Sequence, residues 1–143
     1  MLALFLMMRE VFRSEHYRVE FGAEQRIIRL VRTAVPQTTQ LMASLVSELL
    51  GALQPLRPAH ILLDMRLAPG NNDPEFEQAA LVALRRLLRG FGKVAVLVHS
   101  AVGRLHFQRL SRESGQDLHI FSDESEALRF LREQPLPQAA PPS

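Results

Sequence analysis

The sequence predicts a single α/β domain: a mixed, mostly parallel five-stranded sheet with four helices, in the order β-β-α-β-α-β-α-β-α. Three observations predict it. Residues 60–65 and 93–98 are short, nearly continuous apolar runs, the form of strands buried on both faces. The stretches between and after them repeat apolar residues at helical spacing. Residues 17–21 alternate apolar and polar, and a second short strand pattern follows after a turn.

Taken in order, residues 1–15 are an N-terminal extension. Residues 1–8 are apolar but lack a basic start and a cleavage site, and eight residues cannot span a bilayer. An early start codon, with Met8 the true start, is the preferred reading over an anchor or signal peptide. The domain proper is expected over residues 16–133. It opens with the alternating strand 17–21, a turn at 22–25, and a strand at 27–33 that is apolar at Ile27, Ile28, Leu30 and Val31. The two read as a hairpin.

Pro36 ends the hairpin, and Thr38 or Thr39 caps a helix with an apolar stripe at Leu41, Met42, Leu45, Val46, Leu49, Leu50 and Leu53. Pro55 and Pro58 stop it. After the strand at 60–65, residues 68–72 form a loop, and Asp73-Pro74 is an N-cap followed by proline at the first helical position. In that helix Phe76, Ala80, Ala83, Leu84, Leu87 and Phe91 are expected on one face, with Arg85, Arg86 and Arg89 opposite. Gly90 and Gly92 close it before the strand at 93–98. A third helix covers 103–114 and ends at Gly115. A short strand at 118–121 leads to a last helix begun by Asp123-x-x-Glu126, with Ala127, Leu128 and Leu131 facing inward. Prolines 135, 137, 141 and 142 make residues 134–143 a disordered tail.

This element order resembles that of the STAS domain and its lipid-binding SEC14-like relatives. Leu63-Asp64-Met65-Arg66 stands at the family's third strand and following loop. Val94 to Val98 stands at its fourth strand, and residues 120–128 are similar to its closing strand-to-helix junction. The resemblance spans about residues 16–132 and implies a stand-alone binding module. In the anti-sigma factor antagonists of that family, a partner kinase phosphorylates a serine at the start of the second helix. Here that stretch reads Ala68-Pro69-Gly70-Asn71-Asn72-Asp73-Pro74, and no serine or threonine occurs between Met65 and Val98. The missing hydroxyl excludes that switch. Asn71, Asn72 or Asp73 would instead fix one state, and Asp73 offers a permanent negative charge.

Ligands of open α/β sheets meet the carboxyl ends of the parallel strands. That edge should collect Thr33, Asp64, Arg66, Asn71, Asn72, Asp73, His99, Ser100, Arg104 and Ser122. The candidate partner- or ligand-binding residues are Asp64, Arg66, Asn71, Asn72, Asp73, Ser100 and Arg104; the bland reading makes each a strand end or helix cap.

Catalysis is not expected. Asp64, His99 and Ser100 have the residue types of a triad, but neighbours on a strand point to opposite faces, and no G-x-S-x-G elbow is present. Asp73, Glu75 and Glu77 suit a first helical turn. His16, His60, His99, His106 and His119 have no metal-ligand spacing, and no glycine-rich phosphate loop exists, so neither metal nor cofactor is expected. The absence of cysteine fits a reducing cytoplasm, and a bacterial, cytoplasmic protein is expected.

Lys93 is the single lysine among 17 basic residues. Arg85, Arg86, Arg89, Arg104, Arg109 and Arg112 would most simply be solvated helix faces, then a protein-docking surface. A net charge of only +2 and a single tyrosine argue against nucleic acid. The leading expectation is a non-catalytic module docking a regulatory protein. The alternative is a small-ligand or lipid carrier with Met42, Leu45, Phe76 and Phe107 lining a cavity. A homodimer is the third.

Overall fold

The computed structural model describes residues 7–137. Strands run at Arg9–Arg13 (β1), Tyr17–Gly22 (β2), Ile27–Arg32 (β3), His60–Asp64 (β4), Val94–Leu97 (β5) and Leu118–Phe121 (β6). Helices run at Thr39–Leu53 (α1), Pro74–Leu88 (α2), Ala101–Ser114 (α3) and Glu124–Arg132 (α4). The sheet therefore has six strands, not five. It is mixed: β1, β2 and β3 are antiparallel neighbours, and β3 to β6 are parallel.

The extra strand lies in the stretch read as an extension. Its sequence, Arg-Glu-Val-Phe-Arg, hides the strand signal because a β-bulge falls between Glu10 and Phe12. The bulge lets adjacent Val11 and Phe12 both pack on the same core, which breaks the two-residue alternation. From β2 onward the element order is the one the sequence predicts.

The strands lie side by side in chain order, β1 to β6. Each crossover steps one strand in the same direction, and a single handedness then puts α1, α2 and α3 on one face. The larger core forms there, with Ile28, Leu30, Ile61, Leu63, Val94 and Val96 from the sheet under Val46, Leu49, Leu84 and Phe107. Among the described residues, α4 is the one helix that covers the opposite face. Its Ala127, Leu128 and Leu131 pack on Ile27, Leu62, Ala95 and Leu97. Alternation along β3, β4 and β5 thus divides the side chains between two cores, which is why β4 and β5 read as unbroken apolar runs.

Local signals explain the helices. Thr38 Oγ1 accepts from Leu41 N–H (3.2 Å) to start α1, and Met42, Leu45, Val46, Leu49 and Leu53 are its buried stripe. In α2 the buried residues are Leu81, Leu84, Leu87 and Leu88, while Phe76, Ala80 and Ala83 are half-buried; the helix ends at Leu88, so Phe91, expected on its face, lies half-buried beyond it. The inward face is turned from the expected one toward Leu81 and Leu88. Gly115 ends α3 with a left-handed φ of 73°.

His60 opens β4 and is 1% exposed. Its Nδ1 accepts from Lys93 N–H (2.8 Å), and Nε2 lies 3.1 Å from the Gln134 carbonyl, which it reaches as a donor. This contact anchors the chain after α4. Pro135, Leu136 and Pro137 then border a cleft of about 430 Å³ with Gly92, Lys93, Val94, Gln116 and Asp117. The remainder of the proline-rich tail, 138–143, lies outside the described residues.

Gly92 closes this corner. A Cβ there would sit 2.2 Å from His60 Nδ1 and 3.1 Å from Pro137 Cδ. Gly92→Ala is expected to lower stability by roughly 2 kcal/mol, since a fully buried ring would have to move. Gly51, inside α1 with nothing near its absent Cβ, should behave oppositely: Gly51→Ala should raise stability by about 0.5–1 kcal/mol. Denaturant unfolding of the two variants checks both signs.

Candidate functional site

Of the candidate residues, the structure joins Asp64 and Arg66 in one cluster. Asp64 ends β4 on the α4 face and is 4% exposed. Arg66 donates to it twice, Nε to Oδ1 (2.9 Å) and Nη2 to Oδ2 (2.8 Å). Arg66 backbone N–H adds a bond to Oδ1 (3.2 Å). From β3, Arg29 Nη2 donates to Asp64 Oδ2 (3.0 Å). Arg29 also reaches Glu20 Oε1 through Nη1 (2.8 Å) and Glu124 Oε1 through Nη2 (2.8 Å) and Nε (3.1 Å). Arg66 Nη2 closes the ring on Glu124 at 3.2 Å. Three carboxylates and two guanidinium groups thus share one site, with Arg18 3.9 Å from Glu20 on its margin.

Electrostatics lock these groups in their charged forms. Burial raises the Asp64 carboxyl, but hydrogen bonds from Arg66 and the charges of Arg66 and Arg29 outweigh it and leave Asp64 below its ordinary value. Burial likewise opposes the Arg29 charge, and Glu124, Glu20 and Asp64 more than restore it. The Asp64 hydrogen bond does the same for Arg66. A carboxylate fixed between two guanidinium groups is a poor proton acceptor and has no free lone pair for a metal. Among the described residues no group of three or more His, Asp or Glu is arranged to hold a metal ion.

The other candidates serve the backbone. Asn71 Oδ1 accepts from Asp73 N–H (2.9 Å), and Asp73 Oδ1 accepts from Glu75 N–H (3.1 Å) to cap α2. Asn72 is exposed between them. Ser100 Oγ accepts from Gly103 N–H (3.0 Å) and caps α3. His99 and Ser100 are both exposed, and the Asp64 carboxylate is bound by arginines, so no triad is assembled. Arg104 donates to the Ile120 carbonyl (3.4 Å) and to Ser122 Oγ (2.8 Å). Phe121 C=O turns toward β5, where Val98 N–H meets it, so the Ile120 and Leu118 backbone groups turn outward. Arg104 on the Ile120 carbonyl and Ser111 Oγ on Leu118 N–H (3.2 Å) therefore blunt the free edge of β6.

The expected arginine surface is also divided. Arg85 donates to the Ser114 and Glu113 carbonyls at the end of α3 (3.1 and 2.9 Å). Arg86 bonds Ser47 Oγ (2.7 Å) and the Ala43 carbonyl (3.3 Å) on α1. Arg109 pairs with Glu77. These side chains tie helix to helix. Of the proposed cavity residues, Met42, Leu45 and Phe107 are buried and Phe76 is half-buried.

No family model matches the chain, and neither a curated protein nor a solved structure does. No helix among the described residues is long and apolar enough to cross a membrane.

Sequence reading missed Arg29, Glu20 and Glu124. The one available signal was Arg29 itself, a charge inside Ile-Ile-Arg-Leu-Val that needs a partner if the strand is internal. What the sequence also left unmarked is apolar exposure on this edge. Leu67, three residues past β4, is 63% exposed; Val102 and Leu105, in the first turns of α3 beyond β5, are 78% and 65% exposed.

Removing one partner from a buried charge cluster leaves the others uncompensated. Asp64→Asn should cost roughly 3 kcal/mol at neutral pH. Because the folded-state pKa of Asp64 is depressed, its contribution is present above the unfolded value of about 3.9 and lost as pH falls through the folded value. The gap between wild type and Asp64→Asn should therefore close progressively below about pH 4. Urea midpoints measured across that range check it; a gap that stays constant into acid refutes the assignment.

Proposed function

We propose that the chain is a non-catalytic docking module that binds a regulatory protein partner across the C-terminal edge of β4 and β5. One observation carries this reading. Asp64, Arg66, Asp73, Ser100 and Arg104 at that edge are committed to ion pairs, caps and hydrogen bonds, and exposed His99 has no partner among the described residues to orient it as an acid or base, whereas Leu67, Val102 and Leu105 stand open to solvent. Catalysis needs an acid, base or nucleophile free to move a proton or bond. Docking needs accessible apolar surface with a polar rim, and Asn71, Asn72 and Asp73 supply such a rim on the preceding loop.

The resemblance to STAS domains supports the same class of function, and it rests on the element order found from β2 onward. The departure from that family sharpens the reading. Where its switching members carry a phosphorylatable serine, this chain has Asn71-Asn72-Asp73, and the Asp73 carboxylate caps α2. Docking would then be constitutive at this loop, set by partner concentration and not by phosphorylation. A reducing, cytoplasmic setting fits a chain without cysteine.

The test uses substitutions that spare the caps and the Asp64 cluster. Leu67→Ser, Val102→Ser and Leu105→Ser, combined in the full chain, should leave the unfolding midpoint nearly unchanged because all three side chains are exposed. Affinity capture from native lysate should yield a stoichiometric protein with wild type and at least about tenfold less with the triple variant. Equal capture by both would refute docking at this edge. A stoichiometric lipid extracted in place of a protein would favour the carrier reading.

A further inference from the structure

Two arginines on β3 have opposite surroundings. Arg29 faces α4 and meets three carboxylates. Arg32, three residues later, points to the other face and is 4% exposed, yet none of the ion pairs among the described residues includes it. Its Nη1 donates to the Thr33 carbonyl (2.6 Å) and the His16 carbonyl (3.4 Å). Its guanidinium lies over the ring of Tyr17, its cross-strand neighbour, with Cζ 5.5 Å from the centroid. Nε and Nη2 make no hydrogen bond among the described residues. Neither is fully enclosed as Arg18 Nε is, the one unpartnered buried side-chain nitrogen among the described residues. Burial pulls the Arg32 pKa down, opposed only by Tyr17.

A guanidinium with its Nε/Nη2 edge unfilled is a fork that matches two oxygens of one anion. The surroundings suit such a guest. Tyr17 Oη accepts from Gln37 Nε2 (2.8 Å), which ties the Tyr17–Arg32 pair to the residue before the Thr38 cap of α1. The first turn of α1 carries no acidic residue, and its opening N–H groups add positive potential. His16 Nε2 is occupied by the Pro36 carbonyl (3.2 Å) and holds the connecting loop in place. The spot also lies at the carboxyl end of β3, on the sheet edge where ligands of open α/β sheets bind.

We propose that Arg32, with the start of α1, forms a binding site for one small oxyanion, a phosphate or carboxylate group. This goes beyond the docking reading and does not rest on it, since none of the contacts of Arg32 involves Leu67, Val102 or Leu105.

The full chain is titrated at constant ionic strength with inorganic phosphate in one arm and acetate in the other, chloride being the balancing ion. The readouts are the unfolding midpoint and the NMR signal of Arg32 Nε–H. Wild type should show a saturable rise in midpoint and a saturable shift of that signal, and the tighter arm identifies the oxyanion. Arg32→Lys, which keeps charge but loses the fork, should bind roughly tenfold more weakly. Arg32→Met should lose the response. Without anion it should be at least as stable as wild type, because an uncompensated buried charge is removed. Arg109→Gln, a control arginine on α3, should respond as wild type does. An unmoved Arg32 Nε–H signal in wild type with both anions would overturn the site, whether or not the variants fold. So would an equal response in Arg32→Met, or a large loss of its anion-free stability, which would mark Arg32 as structural.

Discussion

A guanidinium set inside a mixed sheet must be neutralised where it stands, and Arg29 imposes that requirement on everything around it. Its position in β3 is fixed by the pairing with Glu20 on β2 and the neighbouring register of β4. Glu20 and Asp64 meet it from within the sheet, but Glu124 meets it from the first turn of α4. That third carboxylate pins the start of the only helix on this face among the described residues. The apolar side of α4 then falls over Ile27, Leu62 and Leu97, and the second core closes. An ion cluster of this kind adds little net stability over an apolar alternative, yet it is costly to break. Its effect here is positional.

The same logic accounts for how the sheet ends are finished. Sequential strand order leaves β1 and β6 as true edges. Arg9, Glu10 and Arg13 and the bulge occupy the first, and Arg104 and Ser111 fill outward backbone groups of the second. Both are recognised defences against strand addition. Self-association through a continuous sheet is therefore disfavoured, and an interface would have to use side chains at the strand ends or helix surfaces.

The sequence is legible where one physical rule acts alone. β4 and β5 stand out because both faces are buried, and α1 because its stripe and its Thr38 cap agree. Where two rules compete, it is not. β1 is hidden because a bulge puts Val11 and Phe12 against one core, and the α2 face is misaligned by half-buried Phe76 and by Phe91, which lies past the helix end at Leu88. Asp64 and Arg66 stood among the candidates because both fall at or just past the end of β4, but only the structure shows that they pair. Glu124, 95 positions from Arg29, was not: locally it is an ordinary acid in a first helical turn, and only the fold reveals the second use.

That double use bears on function. A side chain that completes a cap or an ion pair in the folded chain can meet a partner only by giving up what it already holds, so polar groups at this edge are weak recognition elements. Asp73 illustrates the point: a partner that drew its carboxylate away would uncap α2, at a cost of about 1 kcal/mol. Exposed Leu67, Val102 and Leu105 carry no such penalty, and Arg32 has donors with nothing to surrender. On the two proposals, binding capacity therefore lies in uncovered apolar side chains at one strand end and an unfilled guanidinium edge at another. Neither is marked by the polar motifs that first draw the eye in the sequence.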